Sequence, residues 1–237
     1  SFGMICAEDE IGIGKGHDGI IVLKDTPTPG TPAAEYFGIK SDYVIEVDIT
    51  PNRIDAASHY GVARDLAAYL KRNGYNSSLT KPSVEDFAID SPNGDAIKVV
   101  VENTEAAPRY AGLTIKGVTV KESPDWLKQR LNTIGVRPIN NIVDITNYIL
   151  HETGQPLHCF DVKEIEGNTV VVKTLPEGTP FVTLDEVERK LSDKDLMICN
   201  KNEGMCLAGV FGGLKSGVTE TTTDIFLESA YFNPTWI

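Results

Sequence analysis

The chain has 237 residues, 41% of them hydrophobic, and a formal net charge of −12. That length and apolar share suit one large packed domain or two small ones. No apolar run approaches the roughly 20 residues needed to cross a bilayer, and the N-terminus lacks the basic and apolar regions of a secretion signal, which argues for a cytoplasmic protein without membrane partners. The acidic balance excludes nucleic-acid binding by bulk attraction, so such binding needs a local patch or a partner that holds the phosphates.

Residues 1–20, SFGMICAEDEIGIGKGHDGI, carry no sustained hydrophobic period and are expected as extended chain and turns. Gly14 to Gly19 fits GxGxxG by letter, but the strand-like IIVL follows where a helix N-terminus would have to face a pyrophosphate, so nucleotide binding is set aside. The run VIEVDITPNRIDAASHYGVARDLAAYL predicts a strand over 44–49, a proline turn and a helix over 58–71. Ser58 caps that helix, Val62, Ala63, Leu66, Ala67 and Leu70 form its apolar stripe, and Gly74 stops it. The segment TKPSVEDFAIDSPNGD, 80–95, is polar and turn-rich, and the main domain boundary is expected there. A first residue other than Met, and an end directly after a strand-like run and a proline turn, are expected of a piece of a longer polypeptide.

Strands are predicted over 97–103, 110–120, 168–175, 195–200, 205–212 and 224–232, all rich in β-branched or aromatic residues. Two helices interrupt them. One has Ser123 as N-cap, Pro124 at the first helical position and Gly135 as its stop; the other runs from about Asn140 to Glu152 and stops at Gly154. Strands outnumber helices without alternating with them, so the expected class is α+β. The cysteines, Cys6, Cys159, Cys199 and Cys206, lack CxxC spacing, and His151 and His158 lack an HExxH arrangement, so neither a zinc site nor a disulfide is expected. No GxSxG elbow is present.

Between Arg109 and Asn141 six cations meet two anions, a net +4 in an acidic chain. This is either an ordinary solvated surface or a phosphate-contacting patch. The segment from Arg137 to Asp161, RPINNIVDITNYILHETGQPLHCFD, is denser in hydrogen-bonding side chains than a core-filling helix requires. Ile142, Ile145 and Ile149 are spaced to bury one stripe, which sends Asn141, Asp144 and Asn147 elsewhere while Thr146 borders the stripe. The Gln155-Pro156 turn then returns His158 toward Thr146 and Asn147. His158 either ties that turn to the backbone or serves a site. Glu228, in FLESAYF, is either on a solvent face or a buried carboxyl that must be paired or used. Ala208 and Gly209 either allow tight contact or admit a ligand against bare backbone.

RPINNIVDITNYILHETGQPLHCFD, LAGVFGG and SGVTETTTDIFLESAYFNP together resemble the B3/B4 domain of the β subunit of bacterial phenylalanyl-tRNA synthetases. DITPNRIDAASHYGVARDLAAYL resembles the second half of the B1 domain, and FGMICAEDEIGIG the chain leaving the inserted tRNA-binding domain. The resemblance implies an exit segment over 1–20, a small helical partial B1 domain over 21–90, and a mixed-sheet, sandwich-like editing domain over 91–237. It implies hydrolysis of tyrosine wrongly esterified to phenylalanine tRNA. A pocket for phenylalanine rejects an analogue with one added hydroxyl only about a hundredfold, whereas a site that hydrogen-bonds the hydroxyl discriminates by roughly 10⁴.

By resemblance, Glu228 receives the tyrosine phenol, Thr146, Asn147, Pro156 and His158 line the pocket, and Ala208, Gly209 and Ala230 are its small-residue walls. Arg137 is a candidate contact for the terminal adenosine or its phosphate. His158 would orient or deprotonate a water, with Thr146 and Asn147 holding water or carbonyl. The implied partners are an α subunit, in a heterotetramer of two α and two β chains, and the tRNA acceptor end. No cofactor is expected in this segment, with ATP and magnesium bound elsewhere in the whole enzyme. Cys159 stands where the family usually has Ala, and Phe211 where it often has Met. A non-catalytic scaffold is the competing expectation, and a pocket bounded jointly by residues 146, 158, 209 and 228 separates the two.

Overall fold

The computed structural model describes residues 3–14, 16–39, 43–91, 94 and 96–237. Lys15 of the glycine-rich letters, and Pro92, Asn93 and Asp95 of the turn-rich stretch, lie outside the described residues. The chain divides into two compact units, Ser1–Ile45 and Glu46–Ile237, and the stretch 80–95 falls inside the second.

The first unit contains a 3-10 turn, Asp9–Ile11, and a one-turn helix α1 (Ala33–Tyr36). With no periodic stripe to bury, it leaves Met4, Ile5, Ile20 and Val22 exposed. The strand predicted over 44–49 does not form. Val44, Ile45 and Val47 are apolar enough for one but stay exposed, with no paired strand beside them among the described residues.

The second unit begins with helix α2 (His59–Arg72), entered as its sequence predicts: Ser58 is extended, and its Oγ accepts from the Gly61 N–H at 2.9 Å. The chain then runs β1 (Lys98–Val101), β2 (Arg109–Lys116), α3 (Asp125–Thr133), α4 (Asn141–Thr153), β3 (Leu157–Asp161), β4 (Thr169–Thr174), β5 (Pro180–Val182), β6 (Glu188–Lys190), β7 (Leu196–Cys199), β8 (Gly204–Leu207), β9 (Phe211–Gly212) and β10 (Asp224–Tyr231). The strands form a five-stranded sheet in the order β1-β4-β7-β8-β9, a three-stranded sheet β2-β10-β3, and the hairpin β5-β6. β1 and β4 are parallel, and the other pairs are antiparallel.

Side-chain alternation stacks these parts into layers. Phe160 and Phe226 of the three-stranded sheet pack with Val170, Val172, Ile198 and Cys206 of the five-stranded one. The outer residues of the larger sheet, Met197 and Cys199, pack with Phe181 of the hairpin. On the other side, α4 sets Ile142 on Cys159 and Ile225. Two sheets face to face with helices outside is the sandwich-like α+β arrangement expected of the sequence. Burying one large apolar side chain contributes roughly 1.5–3 kcal/mol, so the layer holding both phenylalanines is the main source of cohesion. Gly112 is required there: a Cβ on it would lie 2.0 Å from the Phe226 ring.

Several local expectations are corrected. Ser123 does not cap α3, whose N-cap is Pro124 without a side-chain bond; its hydroxyl is spent instead on Asp144 Oδ2, at 2.5 Å. Asp144 does not project away from the core but is fully buried, and its other oxygen accepts from the Ile139 N–H at 2.8 Å. Ile145 is 49% exposed, so the buried stripe of α4 rests on Ile142 rather than on all three isoleucines. Asn140 caps α4, accepting from the Ile142 and Val143 N–H groups, while Asn141 accepts from Lys121 N–H and donates to Thr119 C=O. The run 205–212 is two strands, because Gly209, at φ +70°, turns the chain between β8 and β9. The return after Gly154 is itself strand β3, hidden in the sequence by its brevity.

Asp144→Ala is expected to lower the unfolding free energy by about 2 kcal/mol, since the buried Ser123 hydroxyl and the part-buried Ile139 N–H both lose their acceptor. Urea unfolding should show this as a lower midpoint at unchanged slope; a wild-type midpoint would mean those donors find other partners.

Candidate functional site

β10 is the middle strand of its sheet, and its register places Glu228 opposite Gly112 on β2 and opposite His158 on β3. Directly opposed residues point to the same face. Phe226 and Phe160 lie on that face, so Glu228 and His158 project into the layer between the two sheets. Leu227 and Cys159 project to the α4 side.

Glu228 is 6% exposed. Its side chain has one hydrogen-bond partner among the described residues: the Tyr110 hydroxyl, which donates to Oε2 at 2.5 Å. Tyr110 lies opposite Ala230, diagonal to Glu228 across the β2–β10 pair. Burial pushes the Glu228 carboxyl from its ordinary 4.5 to about 7, and the Tyr110 bond acts against that rise. The Tyr110 phenol is pushed well above its ordinary value, first by burial and then by the Glu228 charge, so it stays a donor.

His158 stands edge-to-face on Phe160, with centroids 4.5 Å apart. The backbone at Gly212 in β9 abuts its ring: a Cβ there would lie 3.2 Å from His158 Cε1. Burial lowers the His158 pKa, so the imidazole is neutral at physiological pH. Its Nε2 is the one buried side-chain nitrogen or oxygen without a hydrogen-bond partner among the described residues. Leaving such an atom unpaired costs about 1–3 kcal/mol.

Ala208 is buried in the same inter-sheet cluster as Phe160 and Phe226. Gly209 turns next to it, and a Cβ there would meet Phe232, 3.3 Å away just past β10. Gln155 ties two other positions together, its amide donating to Pro156 C=O at 2.9 Å and to Ala230 C=O at 3.2 Å. Thr146 and Asn147 are not joined to this group. They sit half-buried on α4, which packs on the sheet's opposite face; the Thr146 hydroxyl donates to Val143 C=O of its own helix, and no hydrogen bond links either residue to His158. Arg137 is exposed in the connection before α4. Two surface hollows, of about 420 and 550 Å³, are lined by Glu102, Asn103 and Lys173 and by Val120, Ile139 and Glu220 among others, and neither reaches residues 146, 158, 209 or 228.

The pairing of Tyr110 with Glu228, the approach of Gly212 and the clamp of Gln155 are absent from the sequence reading. Tyr110 alternates with Gly112 and Thr114, so a shared face was readable, but its partner lies 118 residues away.

Residues 106–237 match the model of the B3/4 domain family. The chain belongs to that family. Over its whole length it is 70% identical to the phenylalanine-tRNA ligase beta subunit of Bacteroides thetaiotaomicron and, over 240 aligned residues, 64% identical to that of Porphyromonas gingivalis, spanning 29% of each of those proteins. A solved N-terminal fragment of the phenylalanyl-tRNA synthetase beta-subunit from Pyrococcus horikoshii is 16% identical with a TM-score of 0.44, covering 78% of this chain and 55% of that one.

In this B3/4 domain the inter-sheet face therefore presents a buried carboxyl, a neutral imidazole with an unpaired nitrogen, and small residues around them. No cluster of three metal-ligating side chains occurs among the described residues. A carboxyl can accept from a hydroxyl and a neutral imidazole can take up a proton. Because the folded pKa of Glu228 is raised, the unfolded chain loses that proton first, so the group erodes stability as pH rises from 4.5 to about 7. Glu228→Gln should remove that component, roughly 3 kcal/mol at most. Urea midpoints at pH 5 and pH 7.5 are expected to show a smaller fall in the variant than in wild type; equal falls would place the Glu228 carboxyl in a solvated setting.

Proposed function

We propose that the chain is the editing portion of a phenylalanyl-tRNA synthetase β subunit, and that its B3/4 domain hydrolyses the ester joining tyrosine to phenylalanine tRNA. The observation that carries this reading is the placement of the buried Glu228 carboxyl directly across the sheet from His158. A buried acceptor discriminates because phenylalanine would leave its second oxygen, Oε1, without a donor, whereas tyrosine satisfies it.

The ester is already activated. Water attacks its carbonyl carbon, the bond to the terminal ribose oxygen breaks, and that oxygen takes up the proton the water gives up. A neutral imidazole is the form that accepts such a proton or orients the water, and the unpaired Nε2 of His158 is available for it. Glu228 supplies specificity rather than chemistry. The same reading assigns Thr146 and Asn147 to holding water or carbonyl, Pro156, Ala208, Gly209 and Ala230 to the walls, and Arg137 to the terminal adenosine. The exit segment over 1–20, the partial B1 domain over 21–90 and the editing domain over 91–237 belong to this proposal. So do a cytoplasmic setting, an α subunit partner in a heterotetramer of two α and two β chains, and ATP and magnesium bound elsewhere in the enzyme. At a net charge of −12 the chain relies on other domains to deliver the acceptor end.

A second reading, a non-catalytic scaffold, is favoured by one observation: α4 carries Thr146 on the far face of the sheet, so residues 146, 158, 209 and 228 do not all converge. Deacylation by the complete synthetase separates the two. His158→Ala is expected to slow hydrolysis of the tyrosine ester by about 10²-fold or more. Glu228→Ala should instead shrink the preference for tyrosine over phenylalanine esters while some hydrolysis persists. Wild-type rates in both variants would favour the scaffold.

A further inference from the structure

We propose that Tyr110 is the positioning residue for phenol recognition: its hydroxyl holds Oε2 of Glu228 in place and leaves Oε1 to accept from the tyrosine of the bound ester. This inference rests on the editing reading above. Its geometry is a feature of the sheet itself. Gly112, the residue of β2 directly opposite Glu228, has no side chain to meet the carboxyl, so the next residue on that face, Tyr110, reaches diagonally to it. The tyrosine ring packs against the inter-sheet core, which fixes where its hydroxyl points.

A carboxyl offers two oxygens and about four acceptor sites, so one phenol bound at Oε2 leaves room for a second at Oε1. The chain thus contains its own instance of the contact that the substrate would make. Anchoring one oxygen also prevents rotation of the carboxyl, so that a ligand finds the other oxygen already aimed.

Tyr110 has a second effect. The titratable groups on the face of Glu228 are Tyr110 on β2, His158 on β3 and Cys206 on β8, with Cys159 nearby on the opposite face of β3, and none is a cation that would hold the carboxylate ionised. Tyr110 is therefore the side chain that favours the charged form, in which the carboxyl accepts more strongly than when protonated. Without it, burial is unopposed and ionisation moves to higher pH.

The test uses the complete synthetase as wild type, Tyr110→Phe, Glu228→Ala and the double variant. The ratio of kcat/KM for tyrosine and phenylalanine esters of phenylalanine tRNA is measured from pH 6 to 9, and a cooperative thermal transition confirms folding of each. At pH 7 the ratio is expected to fall about tenfold in Tyr110→Phe, with the pH at which discrimination reaches half its maximum moved upward. On the Glu228→Ala background the Tyr110 substitution should change the ratio no further. An unchanged or increased ratio in Tyr110→Phe, an unmoved pH midpoint, or an equal loss on the Glu228→Ala background would each overturn the role of Tyr110 while leaving the editing reading intact. Failure of the wild-type enzyme to prefer the tyrosine ester would overturn both.

Discussion

The pairing of β10 with β2 over eight residues and with β3 over five fixes which side chains enter the layer between the sheets. Strand side chains alternate with period two, so a slip of one residue would send Glu228 and His158 to the α4 side and bring Leu227 and Cys159 into their place. What prevents the slip is apolar. Phe226 and Phe160 sit on the same face as Glu228 and His158, and both are fully buried against Val170, Val172 and Ile198. Exposing two phenylalanines to rescue one carboxyl would be a poor exchange, so the phenylalanines hold the polar pair in a place it would not choose alone.

That constraint explains why an unfavourable group persists at the centre of the sheet. A buried carboxyl with one neutral partner and no cation nearby is a stability cost. The unpaired Nε2 of His158 adds another. Both lie on the same face, on adjacent strands, with their pKa values displaced in opposite directions by the same cause, loss of water. The carboxyl is pushed toward the physiological range from below and the imidazole is held neutral through it. Two groups destabilised together in one layer are the pattern that the proposed shared ligand would account for.

Much of this was legible in the sequence wherever the cause was local. Ser58 and Asn140 were readable as helix starts and Gly154 as a stop because caps are decided within four residues. Ser123 misled for the same reason in reverse: it satisfies the local N-cap pattern, but a buried aspartate 21 residues away takes its hydroxyl. The surplus of polar residues before and within α4 divides along this line. Asn140, Asn141 and Asp144 cap the helix and stitch the chain around it, and so account for density that looked functional. The bond from Tyr110 to Glu228 was beyond reach, since it depends on a register between strands 118 residues apart that no local pattern encodes.

The two departures from the family resemblance can be weighed by where the register puts them. Cys159 follows His158 on β3, so it points to the other face, buried with Ile142 and Ile225. Burial, and then the nearby Glu228 charge, push its thiol up to about 12, so it is a neutral, unreactive thiol at physiological pH. A thiol added to the side-chain carbon of an alanine there adds volume under α4, not beside the carboxyl. Phe211 lies in β9 opposite Leu207, on the strand whose next residue, Gly212, abuts the His158 ring. Of the two, the change at 211 is therefore closer to the His158 ring, although its side chain alternates away from the neighbour that touches it. A substitution at 212 would be felt by the imidazole at once, whereas one at 211 reaches it only through the backbone they share.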